Sequence, residues 1–431
     1  MSQEYKISLT SAILININIM LGTGIFINTA VLPHYAGALG SSIYLLVGLF
    51  MLPLILSISE LLRIHPGGSF YNFGEQEVSP FFGFLIGWIY FVGKLSSATL
   101  MIFTAMILLQ KIIPALDAIP TLALALGVLS IFVALNMKNL KAGSSIQAMF
   151  MGIKSIPIIF VILSGICIFS GVNFVSENFI FEGIPTIIPL VLYATIGFEA
   201  ACLLSSKIKD PAKNAPRAIL ISYGIVILTA FLFQTMFYGA LGSALHNLTD
   251  FRATFPAFFA QLLPAHVSWQ HLLTTGSYLA IASSALGGAY GVLFTNNWNL
   301  YTLARNKHTF FAQQLTSLNR NNIPWLCVVI EGLFCVLYMI VTGGKQPSLQ
   351  PLSSLGIVTA YSLSVVALLF AKKNNRAPGI SWWIPLLASL NCIVLISTCI
   401  HSLVRFGSEA LIMFSILCSL GVIMYWFTRK K

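Results

Sequence analysis

Charge is what this sequence has least of. Only 8% of its 431 residues are Asp, Glu, Lys or Arg, against about 25% in a soluble domain, which excludes an ordinary water-soluble globule. Acids are the scarcer sign, 12 against 23 Lys and Arg, for a net charge of +11. In a soluble chain that excess would suggest nucleic acid. Here the bases are scattered through short segments between apolar runs, so membrane topology explains them and no nucleic-acid partner is expected. No two cysteines form a Cys-x-x-Cys pair, and Cys167, Cys202, Cys327, Cys335, Cys392, Cys399 and Cys418 all lie in apolar runs. Neither disulfides nor a metal site are therefore expected. The histidines are scattered, mostly at the ends of apolar runs, which argues against a membrane-embedded metalloenzyme, and no cofactor is called for. Before the first apolar run, Met1 to Leu9 shows no basic n-region and no small-residue cleavage site, so that run is expected to stay in the membrane. No stretch is long enough to fold as a soluble domain, which argues against a signalling sensor.

What is present is apolar sequence: 57% hydrophobic residues and a mean hydropathy of +0.89. Runs long enough to cross a bilayer, about 20 residues, recur at about 9–33, 40–62, 81–110, 118–137, 146–171, 184–206, 217–242, 272–304, 323–343, 351–371, 380–403 and 408–428. The expected fold is an all-α polytopic protein of twelve spans embedded in lipid. With the N-terminus inside, the inner connections hold Arg63, Lys138, Lys141, Lys207, Lys209, Lys213, Arg217, Arg305, Lys307, Arg320, Lys372, Lys373 and Arg376, and the termini add Lys6, Arg429, Lys430 and Lys431. The outer connections hold only Lys111, Arg252, Lys345 and Arg405. This asymmetry predicts both termini in the cytoplasm of a cell-membrane protein. A short amphipathic helix is expected at 255–263 on the outer side, and the aromatic stretch after His65-Pro66-Gly67-Gly68 is expected to lie along the inner surface.

Two spans are interrupted. Gly22-Thr23-Gly24 falls in the middle of the first, where each glycine costs a helix about 1 kcal/mol relative to alanine. Tyr193-Ala194-Thr195-Ile196-Gly197-Phe198-Glu199 falls in the middle of the sixth. Opened backbone at membrane depth is tolerated only where protein buries it or it lines a cavity, and paired glycine-interrupted spans point to a transporter's binding site. Close helix packing is the alternative use of Gly22 and Gly24; the carboxylate of Glu199 at the second interruption favours a site.

These motifs resemble those of the amino acid–polyamine–organocation (APC) permeases. Gly22-Thr23-Gly24-Ile25-Phe26 is similar to that superfamily's first-span signature, and Pro66-Gly67-Gly68-Ser69-Phe70-Tyr71 to its first inner-loop motif. Gly83-Phe84-Leu85-Ile86-Gly87-Trp88, Ile196-Gly197-Phe198-Glu199 and the loop Lys209-Asp210-Pro211-Ala212-Lys213-Asn214-Ala215-Pro216-Arg217-Ala218 follow in the same order. The resemblance implies a LeuT-type 5+5 inverted repeat: helices 1–5 within 1–171, helices 6–10 within 184–371, and peripheral helices 11–12 within 380–431. It also implies a permease that carries amino acids by alternating access, as a proton symporter or an exchanger.

A zwitterion needs donors for its carboxylate and acceptors for its ammonium, and a broken helix supplies both. Thr23, Gly24 and Ile25 are expected at the carboxylate, and Ile19, Met20 and the carbonyls near Tyr193, Ala194 and Ile196 at the ammonium, with Gly22 lining the same substrate site. By resemblance Tyr193 is an aromatic gate with Phe198 beside it, or else a packing aromatic. Tyr193 and Ala289 stand where arginine/agmatine exchangers carry tryptophan, which points to a neutral or acidic substrate; a cationic or amine exchanger is the alternative. Lys154 lies about eight residues into its span, roughly 12 Å deep, seven residues after Gln147. By resemblance it occupies the place of a coupling cation. An intramembrane lysine is a functional hypothesis, and this one is expected to release and regain a proton or to brace two spans. Glu199 is expected as a proton-sensitive link or a helix brace. Lys94 either faces the substrate and repels cations or pairs with Glu199 or Glu331. Nothing in the sequence fixes the oligomeric state.

Overall fold

Seventeen α-helices carry the chain in a computed structural model that describes residues 6–138, 140–175, 180–248 and 250–429. They are α1 (Leu9–Met20), α2 (Gly24–Ala36), α3 (Leu39–Ile64), α4 (Phe70–Glu77), α5 (Pro80–Ile112), α6 (Thr121–Asn136), α7 (Leu140–Ile168), α8 (Ile184–Thr195) and α9 (Ala200–Leu203). After these come α10 (Pro211–Leu241), α11 (Phe251–Leu262), α12 (Val267–Arg305), α13 (Ala312–Leu315), α14 (Trp325–Thr342), α15 (Gln346–Lys373), α16 (Trp383–Phe406) and α17 (Ser408–Arg429). Among the described residues, nine helices are long and apolar enough to cross a membrane, and α1 and α2 together make a tenth, bent by 44°. The chain is a multi-pass membrane protein. Helix α6 and helix α8 are apolar but shorter, at 16 and 12 residues.

Two long helices form the centre. Along α5 the buried set runs almost without interruption from Gly83 to Met106, and along α12 from Ser284 to Leu300. Helices buried on every side form the bundle's interior. Helix α5 crosses α15 where Gly93 meets Gly356; a Cβ on Gly93 would lie 2.6 Å from the Gly356 Cα. Small residues at a crossing allow the backbones this approach. The outer helices turn aliphatic side chains outward, among them Ile156 on α7, Ile340 on α14 and Ile393 on α16, each more than 60% exposed. Such a surface is stable in hydrocarbon and not in water.

The loops counted as basic from sequence gather at one end. The Lys6 ammonium donates to the Ser206 carbonyl at 2.8 Å, and Ile7 pairs with the strand-like segment at Ile208 through Ile7 N–H to Lys207 O (2.8 Å) and Lys209 N–H to Ile7 O (2.9 Å). The segment before α1 is thus strapped to the segment after α9. Asn319 and Asn321 both donate to the Met137 carbonyl, and Arg376 donates to Gln76 O. Arg63 grips Glu60 with both Nε (2.7 Å) and a terminal nitrogen (2.6 Å). Lys430 and Lys431 lie outside the described residues. The Pro-Gly-Gly turn leads into α4, whose start is fixed by a capping box between Ser69 and Asn72. At the opposite end α11 spans Phe251–Leu262, starting four residues before the stretch 255–263 read as a short helix, with Asp250 as its N-cap.

Candidate functional site

The helix breaks fall where the glycines are. Helix α1 stops at Met20, and Leu21 leaves helical geometry at φ −76°, ψ 57°. Helix α2 begins at Gly24. Helix α8 ends at Thr195, Ile196 is extended, and Gly197 has φ +129°, a conformation open to glycine and strained for other residues. Only four α-helical residues, Ala200–Leu203, and a 3-10 turn at Ser205–Lys207 follow that break before α10. The first turn of α2 thereby presents N–H groups with no intrahelical acceptor, and the last turn of α8 presents carbonyls with no intrahelical donor.

The two breaks meet each other. A Cβ on Gly24 would lie 2.8 Å from both Cα and Cβ of Ala194 and 3.1 Å from Tyr193 Cδ1; one on Gly197 would lie 3.0 Å from Ile19 and Met20. Thr23 Oγ1 is 3.4 Å from the Tyr193 hydroxyl. Gly22 approaches Gly288 of α12, next to the buried Ala289. Ile19, Met20, Gly22, Thr23, Gly24, Ile25, Tyr193, Ala194, Ile196 and Phe198 are all buried, so the breaks stand closed on one another. The Phe198 ring, expected beside Tyr193, stacks on Tyr361 (5.4 Å between centroids) and meets Tyr223 edge-on (5.8 Å).

Lys154 reaches the first break from α7. Its ammonium donates to the carbonyls of Asn18 and Leu21, both at 2.7 Å, and lies 3.4 Å from Ser284 O. These are carbonyls freed where α1 ends. Ser284 Oγ donates to Leu21 O as well, at 2.9 Å. A compact cation thus sits on the exposed negative end of α1, where the helix dipole favours one. Gly22 N–H donates to the Met20 carbonyl at 2.8 Å, so of the two α1 carbonyls expected at an ammonium, Met20's already holds one donor.

Glu199 belongs to the second break, and four donors converge on it. Oε1 accepts from the Tyr90 hydroxyl (2.9 Å) and the Lys94 ammonium (2.8 Å); Oε2 accepts from Gly197 N–H (2.7 Å) and the Tyr361 hydroxyl (2.6 Å). Of the alternatives left open for Lys94, the ion pair with Glu199 is the one the structure contains, with both side chains at most 4% exposed. The pair fastens α5 to the break, and the Tyr361 hydroxyl fastens α15 to the same carboxylate. Glu331, the other partner considered, is fully buried on α14, and neither carboxylate oxygen has a hydrogen-bond partner among the described residues.

Several participants escaped the sequence reading. Asn16 accepts from Ala201 N–H at the start of α9 and donates to Ser222 of α10 (both 3.1 Å). Asn18 donates to Gln147 and to Gly287 O. Tyr90, Tyr361 and Ser284 complete the set. Polar residues inside apolar spans are costly and mark functional or bracing positions, and that signal was available for Asn16, Asn18 and Gln147.

An all-helical membrane bundle whose two mid-membrane helix breaks face each other has the architecture of a secondary transporter. Comparison with known proteins agrees. The family model described as "Amino acid permease" matches residues 7–427, and the chain belongs to that family. It is 24% identical to the amino-acid permease RocE of Bacillus subtilis over 97% of this chain and 93% of the relative. It is 23% identical to the L-asparagine permease of Salmonella typhimurium (88% and 80%) and 24% to the histidine permease HisP of Lactococcus lactis (85% and 81%). Family membership implies a transporter rather than an enzyme.

Proposed function

We propose that this chain carries a neutral or acidic amino acid across the cell membrane by alternating access, in a LeuT-type arrangement of twelve spans. Helices α1 and α2 count as one broken span and α8 and α9 as another, with both termini in the cytoplasm. The observation that carries the reading is the apposition of Gly24 with Ala194 and of Gly197 with Met20. Substrate binding separates these contacts. The carboxylate then takes the N–H groups of Thr23, Gly24 and Ile25, and the ammonium takes the carbonyls of Ile19 and of the end of α8. Tyr193 closes over the bound molecule. Lys94 contributes through Glu199, whose charge it balances, and that pairing leaves the choice against cationic substrates to the neutral surroundings of Tyr193 and Ala289.

Protons couple through Lys154. Its ammonium holds α1 to α7 and α12 through three carbonyls. Loss of that proton removes the positive charge and one of the three N–H donors shared among Asn18 O, Leu21 O and Ser284 O, which loosens the end of α1. Glu199 is the corresponding link at the second break. Flux of labelled glutamate, leucine and arginine into liposomes holding the single chain, with and without a pH gradient, tests the reading. Uptake of glutamate or leucine driven by an inward proton gradient is expected; uptake restricted to arginine, or no uptake of any amino acid, refutes it.

A further inference from the structure

At the α11 end of the bundle, away from the basic loops, lies a cavity of about 300 Å³. Val31 and His34 of α2, Leu190 of α8 and Ser402 of α16 border it, and none of its lining residues belongs to the helix breaks. The fourth wall is the start of α15, where Gln346, Pro347, Gln350 and Pro351 line the cavity. Their spacing, i, i+1, i+4 and i+5, is that of one helix face, so this face of α15 is the one turned to the cavity. The lining holds no Asp, Glu, Lys or Arg among the described residues, and His34 turns its Nδ1 to the His246 carbonyl at 3.1 Å. Gln350 is fully buried. Its Oε1 accepts from Gln346 Nε2 at 3.1 Å, along the same face, while its own Nε2 has no acceptor among the described residues. Buried polar groups in native structures are nearly always paired, and an exception needs an explanation. A neutral wall with one unmet N–H suits a neutral acceptor, whereas a charged group would be buried there without an opposite charge. The space equals about ten waters at ~30 Å³ each, at the lower end of the range for small-molecule pockets.

We propose that this cavity binds a small neutral molecule with an apolar body and one carbonyl or hydroxyl oxygen, which accepts from Gln350 Nε2. The bonds beside the cavity indicate what an occupant does. Asn28 of α2 donates to Leu190 O of α8, and Ser354 of α15 donates to Pro189 O of α8, each at 3.3 Å. Helices α2, α8 and α15 are thus tied to one another next to the cavity in the arrangement where the breaks stand closed. An occupant touching all four walls adds to those ties and favours that arrangement over one in which α2 and α8 part. The consequence for flux rests on the transport reading above; binding itself does not.

Thermal unfolding of the purified full chain in neutral detergent tests binding. The probe is acetophenone, and isopropylbenzene is its counterpart of similar shape without an acceptor. The wild type is expected to show a saturable rise in Tm with acetophenone, at an apparent affinity about tenfold higher than with isopropylbenzene. Gln350→Met keeps the length of the side chain and removes the donor, so it should erase that preference. Ser402→Phe, at a half-buried position on the wall, fills the cavity and should abolish the rise with either probe. Micelle loading is common to all three proteins, so differences between them report the site. In liposomes, acetophenone should slow amino-acid uptake by the wild type and not by Ser402→Phe. No saturable rise with acetophenone, an equal rise in Ser402→Phe, or a preference that survives Gln350→Met overturns the proposal. A chain that binds acetophenone as expected but takes up no amino acid refutes the transport reading and upholds the binding site.

Discussion

Glu199 offers the sharpest test of how the second break is held. Replacing it with glutamine keeps the shape, removes the charge, and leaves Lys94 as an unpaired ammonium in the bundle interior. Removing one partner of a buried ion pair costs about 3–5 kcal/mol. The amide oxygen must also serve donors that now share two carboxylate oxygens, namely Tyr90, Tyr361 and Gly197 N–H, and each buried donor left over adds about 1–3 kcal/mol. Against a typical total stability of about 5–15 kcal/mol, Glu199→Gln alone should bring the fold close to unfolding. Lys94→Met alone should also destabilise, by stranding the carboxylate. The double variant Lys94→Met/Glu199→Gln removes both charges together, so its loss should fall short of the sum of the single losses by about 2–3 kcal/mol. Unfolding followed by tryptophan fluorescence in mixed micelles measures all four corners of the cycle. Additive losses, within about 0.5 kcal/mol, would show that the 2.8 Å pair contributes no coupling and would refute this account of the break.

Other consequences can be checked alongside. Lys154→Ala should abolish the pH dependence of uptake, because no titrating group then binds Asn18 O and Leu21 O; uptake that keeps its full pH profile would end the coupling proposal. Gly24→Ala should destabilise by about 1–3 kcal/mol and impair transport, since its methyl carbon would stand 2.8 Å from Ala194; wild-type Tm and flux would count against the close apposition. Gly197→Ala should cost a similar amount through backbone strain at φ +129°, read as a lower Tm. His308, which meets the Tyr71 hydroxyl at 2.8 Å, is held below its usual value by burial and by the positive charge of Arg429. A depressed histidine stabilises the fold above its unfolded pKa of about 6.5, and that contribution is lost as pH falls through the lower folded value. Wild-type Tm should therefore fall between neutrality and mildly acidic pH more steeply than that of His308→Asn; parallel profiles would contradict it.

How much of this was legible depends on the range over which each feature is decided. The breaks were readable because a glycine pair interrupting an apolar run is a local signal, and the helices do stop within a residue or two of Gly22 and Gly197. Each of the twelve apolar runs contains helix. The short α6 and α8 show, however, that hydropathy overstates the helical length where a loop or a break takes residues from the run. The sixth run, drawn from 184 to 206, keeps only four α-helical residues after its break, followed by a short 3-10 turn. Lys154 stood out because a lysine deep in an apolar run is anomalous wherever it points. Its acceptors were not readable, since Asn18 and Leu21 lie more than 130 positions away. The same distance hid the choice of Glu199 for Lys94, 105 positions on, and the strap between Ile7 and Ile208. Tyr90 and Tyr361 carried no signal of their own, because a tyrosine in an apolar helix looks the same whether its hydroxyl bonds a backbone carbonyl or a carboxylate.

The most direct test of the central claim is a high-resolution map of the full chain in a bilayer mimic with a transported amino acid bound. The ligand should lie between the two breaks, its carboxylate at the N–H groups of Gly24 and Ile25, its ammonium at the freed carbonyls of α1 and α8, with Gly24 and Ala194 drawn apart. A map in which the amino acid binds elsewhere while Gly24 still touches Ala194 would contradict the account.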